Sequence, residues 1–132
     1  MHRAILAAVA LLCAGPAAAG ERWSVYDGDT LYRWTDTRRT LTREPVRLVD
    51  VDTPELHSRC PAEFAAAVAA RELVVHALAE ATVITLERTG RTDKYYRTLG
   101  RVYVDGRSIS ELLLEAGLAR PYHGEHRQSW CP

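Results

Sequence analysis

An Asp-Gly step between two alternating segments constrains how this chain begins to fold. Residues 23–26 and 30–34 alternate apolar with polar side chains, and Asp27-Gly28-Asp29 lies between them. A period of two is typical of β-strands, and Asp-Gly is typical of a tight turn between paired strands. The pattern therefore predicts a β-hairpin over 23–34, which a polar connector over 35–39 follows.

Three more segments have the composition of strands. Residues 40–51, 82–87 and 99–104 are rich in β-branched and apolar residues that alternate with charged ones. They predict a third, fourth and fifth strand, because side chains on a strand point alternately to its two faces. The polar residues 88–97 are expected to form a loop between the last two.

Two segments have the composition of helices. Pro61 suits the first turn of a helix over 62–81, which is rich in Ala, Glu, Arg and Leu. We expect this helix to pack on the sheet through Phe64, Val68, Val75 and Leu78. A shorter amphipathic helix is predicted over 108–120, before Pro121. The whole pattern predicts a mainly β, α+β fold: a five-stranded, partly open barrel of the oligonucleotide-binding (OB) kind with two packed helices.

The first 19 residues resemble a secretory signal peptide. A positively charged start leads into an apolar run over 4–14, and Ala17-Ala18-Ala19 has the small residues of a cleavage site. The run is shorter than the roughly 20 apolar residues of a membrane span. We expect cleavage after Ala19, export to the periplasm or the medium, and no membrane attachment afterwards. A lipoprotein signal at Cys13 is the alternative, which Leu12 disfavours because a small residue usually precedes a lipidated cysteine.

Residues 20–132 are enough for one domain and keep two cysteines. In an oxidising compartment, Cys60 and Cys131 are expected to form a disulfide that tethers the C-terminal end of the chain; the alternative is two unpaired thiols. A second alternative joins Cys131 with His123 and His126 in a metal site, although that set lacks a fourth ligand at a recognised spacing.

Net charge excludes no class of function, because 17 basic residues balance 17 acidic ones. The positions of the charges therefore matter more than their sum. One basic cluster consists of Arg33, Arg38, Arg39 and Arg43. It fits either a surface that follows a nucleic-acid backbone or a solvated hairpin, and the sequence does not decide between them.

Carboxylates are concentrated at the end of the third predicted strand. Asp52 and Glu55 flank that end, and Asp29 of the hairpin turn is in a position to add a third oxygen ligand. Hard oxygen ligands of this kind suit calcium or magnesium. Arg47 lies on the same strand five residues before Asp52, so a regular strand would place the two side chains on opposite faces. A bulge or a bend is needed to bring them together.

Three segments, 27–30, 47–55 and 93–97, resemble in order and spacing the active site of the staphylococcal nuclease (thermonuclease) family. The resemblance covers roughly residues 24–122. It implies that Asp29, Asp52 and the Thr53 carbonyl bind Ca²⁺, with Asp27 as a supporting acid. Arg47 and Arg97 match the catalytic arginines of the family, and Glu55 matches its general base. The residues implied to bind substrate are Lys94, Tyr95 and Tyr122.

The family resemblance implies a monomeric, calcium-dependent endonuclease that hydrolyses phosphodiester bonds in DNA and RNA and leaves 3′-phosphate ends. Tyr96 departs from the family pattern, since it stands where glycine is usual. We expect its side chain to restrict the backbone to negative φ and to reshape the nucleotide pocket.

Two competing functions remain. One is a nucleic-acid-binding OB module without catalysis, and the other is an exported structural barrel whose charged residues form salt bridges. A pure binding module has no need of metal-binding carboxylates beside two arginines. The presence of all five charged residues therefore favours the enzyme; these are Asp29, Asp52, Glu55, Arg47 and Arg97.

Overall fold

The computed structural model describes residues 20–132, so the predicted signal peptide over 1–19 lies outside the described residues. In that part of the chain, the strands are β1 (Gly20–Asp27), β2 (Thr30–Thr37), β3 (Thr40–Leu48), β4 (Val51–Asp52), β5 (Ile84–Thr92), β6 (Thr98–Val104), β7 (Arg107–Ser108) and β8 (Arg120–Pro121). The helices are α1 (Pro61–Glu80) and α2 (Ile109–Glu115).

Five strands form one sheet in the order β1-β2-β3-β6-β5, with the short β7 beside β6. β3 and β6 run parallel, whereas the other pairs in this sheet are antiparallel. β4 and β8 form a separate antiparallel pair. The predicted α+β class and the partly open, five-stranded arrangement with two helices are confirmed, and the sheet does not close on itself.

The core lies on one face of the sheet, where Val25, Leu31 and Val46 occupy one row across three strands. Because side chains alternate along each strand, the adjacent positions point to the opposite face. Helices α1 and α2 cover the core side: Val74 of α1 and Ile109 of α2 are fully buried against it.

Strands β2 and β5 continue well past their predicted C-terminal ends. β2 continues to Thr37, so the connector expected over 35–39 shrinks to a turn at residues 38–39. Thr37 and Thr40 close this turn with a hydroxyl–hydroxyl hydrogen bond of 2.8 Å. β5 continues to Thr92 through an irregular pairing that contains Gly90 at φ 82°. Both extensions are polar and largely exposed, so they lack the apolar alternation on which the prediction depended.

Helix α1 begins as predicted, with a proline in its first turn and Cys60 as its N-cap. Its buried face was predicted only in part, since Leu78 packs against the core as expected but Phe64 and Val75 do not. The buried residues are Glu63, Ala67, Ala70 and Val74. Phe64 and Val75, which we expected to pack on the sheet, remain 50% and 41% exposed. Alanines on the buried face allow the helix axis to approach the sheet closely, and a face of larger side chains would not.

Helix α2 is shorter than the predicted 108–120. It ends at Glu115 because Gly117 takes φ 70°, and the Leu118 amide then donates back to the Leu113 carbonyl at 2.9 Å. This is a common way to terminate a helix. No helix within residues 20–132 combines the length and apolar character needed to cross a bilayer.

Candidate active site

A cleft of about 820 Å³ opens beside the ends of β1 and β3. Residues that the sequence predicted for the site and that line this cleft are Asp27, Asp29, Arg47, Glu55, Lys94, Tyr95, Arg97 and Tyr122. Asp52 and Thr53 do not line it; they are 2% and 1% exposed and are therefore buried. The structure thus brings the three separate segments of the sequence to one place.

The turn between β1 and β2 fixes Asp29 at the floor of the cleft. The Asp29 carbonyl accepts a hydrogen bond of 2.8 Å from the Leu48 amide, which ties the turn to β3. Its carboxylate Oδ2 accepts a 3.3 Å hydrogen bond from the Thr53 amide. The backbone therefore links the first and second predicted metal ligands, because Thr53 directly follows Asp52.

Gly28 is required in this turn by close packing. A Cβ at position 28 would lie 2.9 Å from the Ala70 Cβ and 3.0 Å from the Thr53 side chain. Real Cβ atoms do not approach other atoms this closely without displacement. The turn therefore lies directly between α1 and the segment that carries Asp52.

The bend that the sequence required between Arg47 and Asp52 is present. β3 ends at Leu48, Asp50 takes φ 70°, and β4 begins at Val51. The change of direction lets the Arg47 guanidinium donate to the Leu48 carbonyl and, at 3.1 Å, to the Val51 carbonyl. Its other terminal nitrogen lies 3.2 Å from Asp29 Oδ2.

Negative charge is concentrated around Asp27. Burial raises the pKa of this carboxyl to about 7, and the neighbouring carboxylates of Asp29 and Glu55 contribute to the rise. Like charges held in a poorly solvated place disfavour full ionisation. A cation bound among these groups would relieve the repulsion.

The segment 93–97 positions Arg97. Asp93 Oδ1 accepts hydrogen bonds from the amides of Tyr95 (2.9 Å) and Arg97 (3.0 Å), and Oδ2 accepts one of 2.7 Å from Arg97 Nε. Arg97 Nη1 donates to Thr30 Oγ1 at 3.1 Å, across the cleft wall. Burial raises the pKa of Asp93, but these hydrogen bonds outweigh it and hold the pKa below its usual value. Sequence reasoning gave Asp93 no role, although an aspartate at the start of a tight turn was a usable signal.

The expectation for Tyr96 was wrong. Its φ is 61°, so the backbone adopts the left-handed conformation despite the side chain. The Tyr96 amide donates to the Asp93 carbonyl at 3.0 Å, and the contacts of Asp93 hold the turn in this shape. The Tyr96 side chain is 85% exposed and does not line the cleft. The Tyr96 side chain therefore adds an exposed ring that is not part of the cleft lining.

Cys60 and Cys131 are joined in the predicted disulfide, with a Cα–Cα distance of 6.0 Å. The bond brings the C-terminal segment, residues 122–132, back to the start of α1. At the other end of this segment, the Tyr122 amide donates to the Asp50 carbonyl at 2.9 Å. Since Cys131 is bonded to Cys60, the alternative metal site with His123 and His126 is wrong.

Arg127 is the main site residue that sequence reasoning missed. Its Nε donates to Asp52 Oδ1 at 2.6 Å, and its Nη1 donates to Glu55 Oε1 at 2.5 Å. Nη2 also lies 3.4 Å from the Thr53 carbonyl oxygen. Burial lowers the pKa of Arg127, but its hydrogen bonds to the two carboxylates outweigh this and raise the pKa. No local pattern marks this residue, because its partners are more than 70 positions away in sequence.

The donor set fits a hard divalent cation. Asp29 and Asp52 supply buried carboxylate oxygens and Thr53 supplies a carbonyl oxygen, which are the ligands that Ca²⁺ prefers. The Thr53 hydroxyl is also buried, and among the described residues it has no hydrogen-bond partner. Cys60, Glu63 and Cys131 also place side-chain donor atoms within 4.8 Å of one another, but the two sulfurs are bonded to each other. That group is therefore not a metal site.

The hairpin arginines differ in their surroundings. Arg33 pairs with Glu21 at 2.6 Å, which is typical of a solvated ion pair. The Arg43 guanidinium instead lies 4.8 Å from the centre of the Tyr32 ring. The cluster is therefore not a uniform basic surface.

Residues 45–130 match the family described as staphylococcal nuclease homologue. The endonuclease YncB of Bacillus subtilis (strain 168) is 36% identical over 98 residues, which are 71% of this chain and 43% of YncB. The SPbeta prophage-derived endonuclease YokF of the same strain is 37% identical over 81 residues, which are 58% of this chain and 26% of YokF. The chain thus spans less than half the length of either relative.

Proposed function

This chain belongs to the staphylococcal nuclease family, and we propose that it is a calcium-dependent endonuclease that hydrolyses phosphodiester bonds in DNA and RNA and leaves 3′-phosphate ends. The observation that carries the proposal is that Asp29, Arg47, Glu55 and Arg97 line one cleft. The names of the two relatives, both endonucleases, support the same class of reaction.

Arg47 and Arg97 are proposed to bind the phosphate at the bond that is cleaved. Each carries a planar guanidinium, which donates two parallel hydrogen bonds to phosphate oxygens and stays charged at any working pH. Arg47 is held by main-chain carbonyls and Asp29, and Arg97 by Asp93 and Thr30. Donors fixed before substrate arrives stabilise the charge that develops on a pentacoordinate phosphate.

Glu55 is the proposed general base. Its side chain is 42% exposed at the cleft, so a water molecule can reach it. It would take a proton from that water as the water attacks phosphorus in line with the leaving 5′ oxygen, and the phosphate stays on the 3′ side. Asp29, Asp52 and the Thr53 carbonyl would hold the calcium ion. When bound, the ion would offset the negative charge that develops on the phosphate.

Lys94, Tyr95 and Tyr122 are proposed to bind the nucleotide beside the scissile bond, because all three line the same cleft. The Tyr95 ring is 65% exposed and is available for stacking on a base. We also propose that the protein is exported, periplasmic or secreted, on the grounds of its first 19 residues. The proposal that it is a monomer rests on the family resemblance alone.

The test is degradation of single-stranded DNA by the purified protein, in Ca²⁺ and in chelator, with analysis of the product ends. We expect cleavage in Ca²⁺ alone, 3′-phosphate ends, and a loss of about 10³-fold in Arg47→Ala. Arg107→Ala is the matched control, since Arg107 pairs with the exposed Glu115 away from the cleft. Intact DNA under all conditions would favour the binding module, and full activity in chelator would contradict calcium dependence.

A further inference from the structure

The C-terminal segment, residues 122–132, brings a cation to the proposed metal ligands. Arg127 contacts Asp52, the Thr53 carbonyl and Glu55 with three different nitrogens. Two of these groups are proposed calcium ligands, and the third is the proposed base. The Arg127 guanidinium therefore occupies oxygen atoms that the proposed reaction needs for binding calcium and for accepting a proton from water.

We propose that Arg127 is a tethered competitor of the divalent cation, held in reach of Asp52 and Glu55 by the Cys60–Cys131 disulfide. This inference rests on the proposed function, because it takes Asp52 as a calcium ligand. In the arrangement seen in this structure, the Arg127 guanidinium offsets the negative charge of the Asp52 and Glu55 carboxylates. Binding of calcium displaces the guanidinium, and the same event frees Glu55 to act on water.

Charge and geometry prevent the Arg127 guanidinium and a calcium ion from binding at Asp52 at the same time. Arg127 Nε and Nη2 both contact Asp52 Oδ1. Two N–H donors take up the two lone pairs of that oxygen, so a cation must displace at least one of them to bind there. Two positive charges within a few ångströms also repel each other strongly in a poorly solvated place. The Arg127 side chain is 41% exposed, so it can leave without opening the core.

The tether consists of several contacts around Arg127. Cys131, four positions later, is bonded to the N-cap of α1. The Trp130 ring lies 3.9 Å from the Arg120 guanidinium, and its Nε1 donates to Asp52 Oδ2 at 3.2 Å. A tethered group acts at a high effective concentration, which falls when the tether is cut. The disulfide therefore sets how strongly Arg127 competes.

The experiment is calcium titration by isothermal calorimetry on four proteins: wild type, Arg127→Gln, Cys60→Ser/Cys131→Ser, and the triple variant. Serine at position 60 keeps an N-cap oxygen for α1, so the helix start is preserved. We expect Kd for calcium to fall by about tenfold in Arg127→Gln, because the competing state is removed. The Cys60→Ser/Cys131→Ser variant should shift in the same direction. The triple variant should match Arg127→Gln, since the disulfide acts through Arg127.

Trp130 provides a second readout that is independent of nuclease activity. Calcium at Asp52 competes for Oδ2, the oxygen atom that Trp130 contacts, so tryptophan fluorescence should change on titration and this change should be lost in Trp130→Phe. Arg107→Gln is the control and should keep the wild-type Kd. Equal Kd values in wild type and Arg127→Gln would overturn the competition alone. Absence of calcium binding in all variants, including Arg127→Gln, would overturn the calcium site and this inference together.

Discussion

The floor and the rim of the cleft are built in different ways. The floor consists of Asp29 and Arg47 and is backed by the buried Asp52 and Thr53, which do not line the cleft. The positions of all four are set by strand ends and main-chain hydrogen bonds. The rim consists of Glu55, the segment 93–97 and Arg127. Rim side chains are held mainly by one another through ion pairs, such as Arg127 with Glu55 and Arg97 with Asp93.

The residues assigned to the floor are also more deeply buried than those of the rim. Asp52 and Thr53 are 2% and 1% exposed, whereas the side chains of Glu55 and Arg127 are 42% and 41% exposed. Buried groups stay in place because any movement would disturb packed neighbours, and exposed ion pairs contribute little to stability. Changes in the floor should therefore alter stability as well as activity, while changes in the rim should alter mainly turnover.

After Arg47→Ala, the largest effect is expected for Glu55→Gln, a rim substitution. The amide cannot accept the proton of the attacking water, so kcat should fall by ~10²-fold or more. The free energy of unfolding should change little, because this carboxylate is half-exposed. Single-turnover cleavage of a short oligonucleotide and urea denaturation of the same protein sample measure the two quantities.

The matched comparison for Glu55→Gln is Glu87→Gln, which removes an exposed carboxylate of β5 that pairs with Arg101. It should keep both turnover and stability. A Glu55→Gln enzyme with undiminished kcat would exclude Glu55 as the general base and mean that another group takes the proton from water.

Gly28→Ala should have the next largest effect, and it tests the floor. The added methyl would lie 2.9 Å from the Ala70 Cβ, so the turn or the helix must move. We expect a loss of about 2 kcal/mol in the free energy of unfolding, typical of an overpacked core. Turnover should also fall, because Asp29 follows directly. Adding Ala70→Gly should restore part of the lost stability and part of the lost turnover. If the losses in the double variant are instead additive, the contact between positions 28 and 70 is not their cause.

The sequence was informative about the floor for a physical reason. Strand alternation, the Asp-Gly turn and Pro54 are local signals, and each fixes the backbone within a few residues of the side chain that it positions. Alternation placed Arg47 and Asp52 on opposite faces of a regular strand, so a common site required a bend between them, and the structure provides it at Asp50. The five main strands and both helices followed from the same local patterns.

The rim and the helix face depended on contacts that local patterns do not contain. Arg127 reaches Asp52 because the disulfide and the contacts of Trp130 hold the C-terminal segment against the start of α1 and Asp52. The buried face of α1 follows from how closely the helix approaches the turn at Gly28, and this favours Ala67 and Ala70 over larger residues. Tyr96 adopts a positive φ because Asp93 accepts hydrogen bonds on both sides of it, which outweighs the local preference.

The smallest effect is expected for Asp93→Asn, which loosens the rim without removing a group that contacts substrate. Asparagine keeps an oxygen for the amides of Tyr95 and Arg97 but loses the charged acceptor of Arg97 Nε. A less well-positioned guanidinium should lower kcat by about tenfold. The matched control is Asp105→Asn, which changes a carboxylate that accepts from the amides of Thr82 and Val83 and does not line the cleft. This control should keep the wild-type kcat.

The pH dependence of stability tests whether the charge of Asp93 holds this part of the rim. Burial raises the pKa of Asp93, but its hydrogen bonds hold it below the ordinary value of 3.8. A depressed pKa in the folded state means that Asp93 stabilises the fold above pH 3.8, and that this contribution is lost as pH falls through the folded-state pKa. The difference in unfolding free energy between wild type and Asp93→Asn should therefore shrink as pH falls below about 4. A difference that stays constant from about pH 5 down to about pH 2.5 would mean that the charge of Asp93 does not hold this part of the rim, and that the hydrogen bonds kept by asparagine suffice to position Arg97.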